Sequence, residues 1–579
     1  MNYCKEPVNR VETEGVKAWA GYEEILAVLS KETARHMGEK GSCLLAVDCY
    51  PGVDEEELSA ALRNLHPARF LNMASALCSR EEFARRIKPY LTDDRVFGRM
   101  YYGELGDFQE AGKLEELRAQ ASSSGLTVVF GLGAAGLRKP DILVCADISR
   151  WEIQLRYRAG MPNYHTDNSR EDSLKKIKQG YFFEWRIADK HKRSLLDSMD
   201  FYLDANQKGR PSMVCGGCYR RGLEELTRKP FRTVPYFDPG VWGGQWMKKV
   251  CGLDPDRENY AWSFDGVPEE NSLYLEFGGV RIETPAMNLV LHRPAELLGP
   301  QVYARFGAEF PIRFDLLDTM GGQNLSLQVH PLTDYIHSQF GMSYTQDESY
   351  YILDAEEGAQ VYLGLREDIC PQKMTEALRA AAAGGPAFPA EDYVNWFPAK
   401  KHDHFLIPAG TVHCSGKGCM VLEISATPYL FTMKLWDWGR LGLDGKPRPI
   451  HIDHGEKVIQ WDRRTRWVQE NLVGQTRLLR ENGDYREERT GLHPLEFLET
   501  RRYEIHTACE LDTENNVNML NLVEGEAAVV ESPRQAFAPF TVHYAETFIL
   551  PAAAGAFTIR PEGEGPIKVI RAYVRTGTA

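Results

Sequence analysis

The chain has 579 residues and a formal net charge of −14, with hydrophobic and charged fractions ordinary for a globular protein. An acidic balance excludes a general nucleic-acid binder, which needs clustered Lys and Arg to displace phosphate counterions. No run of about 18 apolar residues is present, so no membrane span is expected. The segment from Met1 to Glu14 lacks an apolar signal core, and twelve cysteines are scattered rather than framed, which predicts reduced thiols in a cytoplasmic protein.

The first part, residues 1–230 with its linker, mixes short apolar runs (Leu44–Asp48, Thr127–Phe130) with helical ones (Glu55–Asn64, Lys113–Ala121), the pattern of an α/β layer domain. Gly131-Leu-Gly133-Ala-Ala-Gly136 matches a dinucleotide fingerprint as a string. Pro140 and an apolar run, Asp141–Ala146, follow at once, so the glycines are expected to form a turn. After Leu44–Asp48 comes Cys49-Tyr-Pro-Gly52 and then Val53-Asp-Glu-Glu-Glu57. Acidic residues there cannot cradle phosphates. Cys215-Gly-Gly-Cys218 lacks two further ligands at zinc spacing and is read as two free thiols in a loop.

The second part, residues 231–454, alternates short strands (Tyr350–Leu353, Gln360–Leu363, Phe405–Pro408, Met420–Ile424) with Pro and Gly turns, as in an all-β sandwich or barrel. A helical insert is predicted near 371–392, where Gln372–Ala383 stops at Gly384-Gly385-Pro386. The third part, residues 455–579, reads as further strands, including Met519–Val523, Glu526–Val530, Thr547–Leu550 and Lys568–Tyr573.

In Leu325-Ser-Leu-Gln328-Val-His330-Pro331, a period of two puts Gln328 and His330 on one strand face. Glu348 heads the next strand, and His413 follows the turn Ile407-Pro-Ala-Gly-Thr-Val. Two imidazoles, a carboxylate and an amide oxygen suit one divalent ion, Zn²⁺ first, with Fe²⁺, Mn²⁺ or Co²⁺ admissible. Taken singly, a strand histidine is more often structural than ligating.

These motifs, with Val361-Tyr-Leu-Gly364, Val421-Leu-Glu-Ile424, Leu435-Trp-Asp-Trp-Gly-Arg440 and an upstream Val241-Trp-Gly-Gly244, resemble the type I mannose-6-phosphate isomerases over about residues 231–579. The resemblance implies cupin (double-stranded β-helix) domains, the second without metal ligands. It implies a metal held by Gln328, His330, Glu348 and His413, and isomerisation of mannose 6-phosphate to fructose 6-phosphate by proton transfer between C1 and C2. Lys434 stands where the family has an Arg, and is the expected catalytic cation. Gln346 stands where the family has a Lys, two positions before the Glu ligand, and Asp315 where it often has another Lys. Gln346 and Arg440 are the expected substrate-binding residues, with Arg313 a further cation. A small sugar phosphate is the expected partner. A cupin protein that holds sugar and metal without turnover is the alternative, which Gln346 and Asp315 favour. An Fe²⁺-dependent cupin oxygenase is a weaker rival. Residues 1–230 resemble only faintly a P-loop nucleoside kinase degenerate at its phosphate loop, and imply a scaffolding or regulatory domain without ATP turnover.

Overall fold

The computed structural model describes residues 2–11, 15–121, 124–426, 429, 431–491 and 493–576. The chain divides into two units, one made of Val8–Glu225 with Ser272–Arg293, the other of Met1–Pro7, Leu226–Asn271 and Pro294–Ala579.

In the first unit five parallel strands lie in the order Phe201–Asp204, Ile142–Asp147, Ser42–Cys49, Gly125–Phe130 and Arg69–Asn72. Ser212–Cys215 and Ala18–Ala20 extend the sheet antiparallel. The central strands are buried along nearly their whole length, as expected for a parallel sheet covered on both faces. Helices start where the sequence supplies caps: the side chains of Asp54, Ser79 and Ser149 accept from the amides of Glu57, Glu82 and Glu152. The glycine run forms a turn, with a single 3₁₀ turn at Ala134–Gly136, and the apolar run after it is the strand Ile142–Asp147.

Residues 272–293, read from sequence as part of the second region, group with this first unit. The hairpin strands Ser272–Phe277 and Val280–Pro285 pair with each other, and the former pairs in parallel with Val8–Arg10. Asn288, on the helix Met287–His292, donates to Asp147 at 2.7 Å and to the Tyr219 hydroxyl at 3.0 Å. Such long-range pairing leaves no local signal. Cys215 and Cys218 are also not in a loop: they end a strand and open the helix Gly216–Leu226.

In the second unit a six-stranded antiparallel sheet has the order His404–Ile407, Glu348–Ala355, Cys419–Ser425, Arg313–Asp318, Trp262–Gly266, Tyr236–Asp238. A five-stranded sheet has the order Val394–Pro398, Gln360–Leu365, His413–Ser415, Leu327–Val329, Met433–Trp436. Polar groups of the two sheets meet across the interior. The insert forms the helix Pro371–Ala382, with Pro at its first turn and Gly384 left-handed at φ 84° just past its end. Farther along, six- and four-stranded antiparallel sheets enclose an apolar core that includes Tyr503, Leu520, Leu522, Phe548, Phe557 and Val569.

Candidate metal centre

The register of the five-stranded sheet sets Gln328 opposite both His413 and Lys434, so the three side chains leave one face. His330 follows two residues on. From the other sheet, Glu348 enters beside Ser425 and Ile407. The turn carrying His413 needs Gly410: its φ is 89°, and a Cβ there would lie 3.0 Å from the Val458 carbonyl oxygen. The Gly410 amide donates to the His330 carbonyl at 2.9 Å. Arg463, which sequence reading did not single out, clamps the same turn by donating to the carbonyls of Pro408 and Ala409, both at 2.7 Å, and to the Thr411 hydroxyl at 2.5 Å.

His330 Nε2 lies 3.0 Å from Glu348 Oε2, and His413 Nε2 lies 2.7 Å from Glu348 Oε1. Both rings and the carboxylate are buried. His330 Nδ1 lies 2.8 Å from the Phe431 carbonyl, and His413 Nδ1 2.8 Å from that of Thr411. A carbonyl only accepts, so each Nδ1 carries the proton and each Nε2 turns a lone pair to the centre. Gln328 places its amide 3.2 Å from His413 Nε2, and turning that amide over presents its oxygen instead. One ligand atom from each of His330, Glu348 and His413 lies within 4.8 Å of the others. His330 Nε2 has no neighbour of hydrogen-bonding kind among the described residues beyond the Glu348 carboxylate. Converging, buried and incompletely paired, this N/O donor set fits a divalent ion.

Electrostatics concentrate charge here. Burial pushes the Glu348 carboxyl up, but His330 and His413 override it and hold it well below the usual range. Burial would lower His330, and Glu348 raises it instead. Gln346, 1% exposed, donates to Glu348 Oε2 at 2.8 Å and to Glu423 at 3.3 Å, and accepts from the Phe431 amide at 3.1 Å. The sequence-based expectation gave it to the substrate; in the structure it touches the Glu348 carboxylate directly.

Arg313, Ser425 and Glu348 stand in one cross-strand row, and Asp315, Glu423 and Tyr350 in the next. Glu423 is buried, and burial, Asp315 and Glu348 together push its carboxyl well up. In the sequence it stands out only as part of Val421-Leu-Glu-Ile424. Strand alternation was the signal: two residues from Val421 and two from Ser425, it faces inward with both. Arg313 is 1% exposed, donates from Nε to Asp315 at 3.2 Å and lies over the Phe264 ring, with no partner for either terminal nitrogen among the described residues.

Lys434 is half-buried, on the face of its strand that Gln328 shares. Arg440 donates to Asp437 and to the Asn324 carbonyl at 2.7 Å, holding the segment after Lys434 in place. His402 bonds Tyr351 and Glu524, and His404 points to the sheet's outer side, so neither joins the centre.

Comparisons with known proteins give the following. Residues 21–228 match a family described as a domain of unknown function (DUF8485). The mannose-6-phosphate isomerase of Streptococcus mutans is 30% identical over 222 residues, 38% of this chain and 64% of that protein. ManA, a mannose-6-phosphate isomerase of Bacillus subtilis, is 25% identical over 236 residues, 41% of this chain and 69% of that protein. The chain thus spans just under two thirds of the first of these relatives. Among solved structures, a mannose 6-phosphate isomerase from Bacillus subtilis aligns at 19% identity with TM-score 0.48, covering 60% of this chain and 99% of its own. A zinc-bound mannose 6-phosphate isomerase aligns at 14% identity with TM-score 0.46, covering 60% and 99%.

Proposed function

We propose that this chain is a metal-dependent aldose–ketose isomerase that interconverts mannose 6-phosphate and fructose 6-phosphate. The observation that carries the reading is the buried convergence of His330, Glu348 and His413, with both Nε2 lone pairs turned inward. Sequence relatives that carry the isomerase name support it.

Gln328, His330, Glu348 and His413 hold the ion, for which zinc is the first expectation. When bound, such an ion polarises sugar oxygens and lowers the cost of negative charge on them. Glu423 moves the proton: its carboxyl is lifted by burial and by neighbouring acids, and it sits one strand from Glu348, within the reach of Gln346. Gln346 orients Glu348 and Glu423 together. Lys434, directly opposite Gln328, supplies the cation for the enediolate oxygen. Arg313 and Ser425 present buried donors from the row that includes Glu348, suited to sugar hydroxyls. Arg440 is assigned to holding the Trp436–Trp438 segment rather than to substrate, because its donors are already engaged.

A second reading, a metal- and sugar-binding protein without turnover, is favoured by one observation: Gln346 completes the polar network without a charge. NMR of mannose 6-phosphate incubated with the metal-loaded protein separates the two. Appearance of fructose 6-phosphate, with incorporation of solvent deuterium at C1 or C2, supports the isomerase. Saturable binding by calorimetry with no product establishes the second reading.

A further inference from the structure

Cys215 closes the strand Ser212–Cys215, and Cys218 lies in the first turn of the eleven-residue helix Gly216–Leu226. A spacing of three residues across a helix start brings the two side chains together, and the sulfurs are in contact at 2.6 Å. Access differs between them: Cys215 is partly exposed, while Cys218 is 1% exposed. The Cys218 backbone amide donates to Cys215 Sγ at 3.2 Å. The first sulfur thus takes the place of an N-cap oxygen, where helix amides favour negative charge. Arg221 donates to Cys218 Sγ at 3.4 Å.

The glycines between them serve this arrangement. A Cβ on Gly216 would fall 2.0 Å from the Met199 carbonyl oxygen, whereas one on Gly217 would meet nothing within 4 Å. The chain therefore passes tightly at the first glycine and stays uncovered at the second. Zinc is not the occupant: among the described residues the only group of three or more metal-ligating side chains is the His330, Glu348 and His413 centre. What remains is a close dithiol with one accessible and one sheltered sulfur at a strand-to-helix junction of an α/β layer, an arrangement suited to thiol exchange.

We propose that Cys215 and Cys218 form a dithiol–disulfide exchange site whose substrates are low-molecular-weight disulfides. The Cys215 thiolate attacks one sulfur of the small disulfide, forming a mixed disulfide and expelling one small thiolate. The Cys218 thiolate then attacks Cys215 Sγ, closing the protein disulfide and expelling the second small thiolate. The two protons released by the protein thiols end on the two small thiols, and two electrons pass from the protein to the small disulfide. Burial pushes the Cys215 thiol up, against the pull of the Cys218 amide and Arg221, so the first step accelerates as pH rises.

The test equilibrates the full-length protein in glutathione buffers of graded redox poise, quenches with acid and maps the peptides by mass spectrometry. Exposed Cys4 serves as an internal control for reactive thiol chemistry. The expected result is a peptide carrying an intramolecular Cys215–Cys218 disulfide, formed and reversed with the poise, while Cys4 carries the glutathione adduct. Cys218→Ser should accumulate glutathione on Cys215 at least tenfold above the parent level. The proposal is overturned if parent Cys215 retains glutathione without closing, or if both thiols stay reduced at a poise that modifies Cys4. The parent protein alone decides this, whether or not the variants fold, and no isomerase assay enters.

Discussion

Two buried clusters of charge, one in each unit, invite the same suspicion of function and differ in a single respect. At the carboxyl ends of the parallel strands, where open α/β sheets bind ligands, Asp48, Asp147 and Asp189 gather with Lys192, Arg150 and His191. Each is answered by a neighbour. Lys192 reaches Asp147 at 3.0 Å, His191 reaches Asp48 at 2.9 Å, and Arg150 and Tyr50 both bond Asp189. The Asp48 carboxylate accepts the amides of Gly133 and Ala135, at 3.3 and 2.9 Å, so a protein anion already sits on donors of the kind that hold a phosphate. In the β unit, by contrast, the Ser425 hydroxyl and both terminal nitrogens of Arg313 have no hydrogen-bond partner among the described residues, and His330 Nε2 meets only the Glu348 carboxylate. A closed network stabilises a fold; an open one asks for something else to complete it.

The sharpest way to break that contrast is to remove one ligand. On the proposed reading, His413→Ala should release the bound metal and reduce isomerase activity by more than about a thousandfold, since a bound ion contributes several kcal/mol to stabilising charge. Metal analysis of the purified variant checks it, and full occupancy would overturn the assignment. Next in size, Glu423→Gln should lower turnover by about a thousandfold with metal content unchanged, the loss typical of a removed proton-transfer group. Lys434→Ala should cost about a hundredfold in kcat and kcat/KM together, while Lys434→Arg retains much of the activity. Parent-like rates in both would move the cation to Arg313.

In the closed cluster the expected effect is on stability. Lys192→Met leaves Asp147 buried with Tyr202 and Asn288 but no cation, and breaking such a pair costs about 3–5 kcal/mol. Denaturant unfolding should show that loss, with the metal content of the folded protein unchanged. The same unit should bind no ATP productively, because Asp48 covers the glycine-turn amides and Asp54 stands in the loop after the strand Ser42–Cys49. ATP turnover that disappears in Lys192→Met would make this cluster the active one.

Much of this was legible in the sequence, for physical reasons that also explain the gaps. Period-two alternation put Gln328, His330 and the strand at Glu348 where the structure has them, and short apolar runs marked Ser42–Cys49 and Gly125–Phe130 as buried strands. Local patterns cannot say which strands become neighbours. Glu423 becomes chemically interesting only because Asp315 and Tyr350 are paired beside it, and Arg463 only because its guanidinium crosses to a turn more than fifty residues upstream. The hairpin at 272–285 looked like part of its surroundings because its pairing partner, Val8–Arg10, lies far back in the chain.

The smallest effect at neutral pH tests whether an unpaired buried group is by itself a sign of function. His404 is buried and neither ring nitrogen has a partner among the described residues. Its strand register with Glu348–Ala355 turns it, with Leu406, away from Glu348 and toward Gly491. Burial, and then the charge of Arg502, pushes the His404 pKa down to about 3. The unfolded chain takes up this proton near pH 6.5 and the folded chain only near pH 3, so between those values the unfolded state binds more protons and stability falls as pH falls. At pH 5 that loss is about 2 kcal/mol, and above pH 7 it vanishes. His404→Leu should therefore melt within a few degrees of the parent at pH 7.5, gain on the parent as pH drops to 5, and leave isomerase activity and metal content unchanged. A melting difference that stays constant with pH would place the proton elsewhere. A loss of activity would mean that His404 serves the metal centre after all, and that facing outward does not separate an idle buried polar group from a working one.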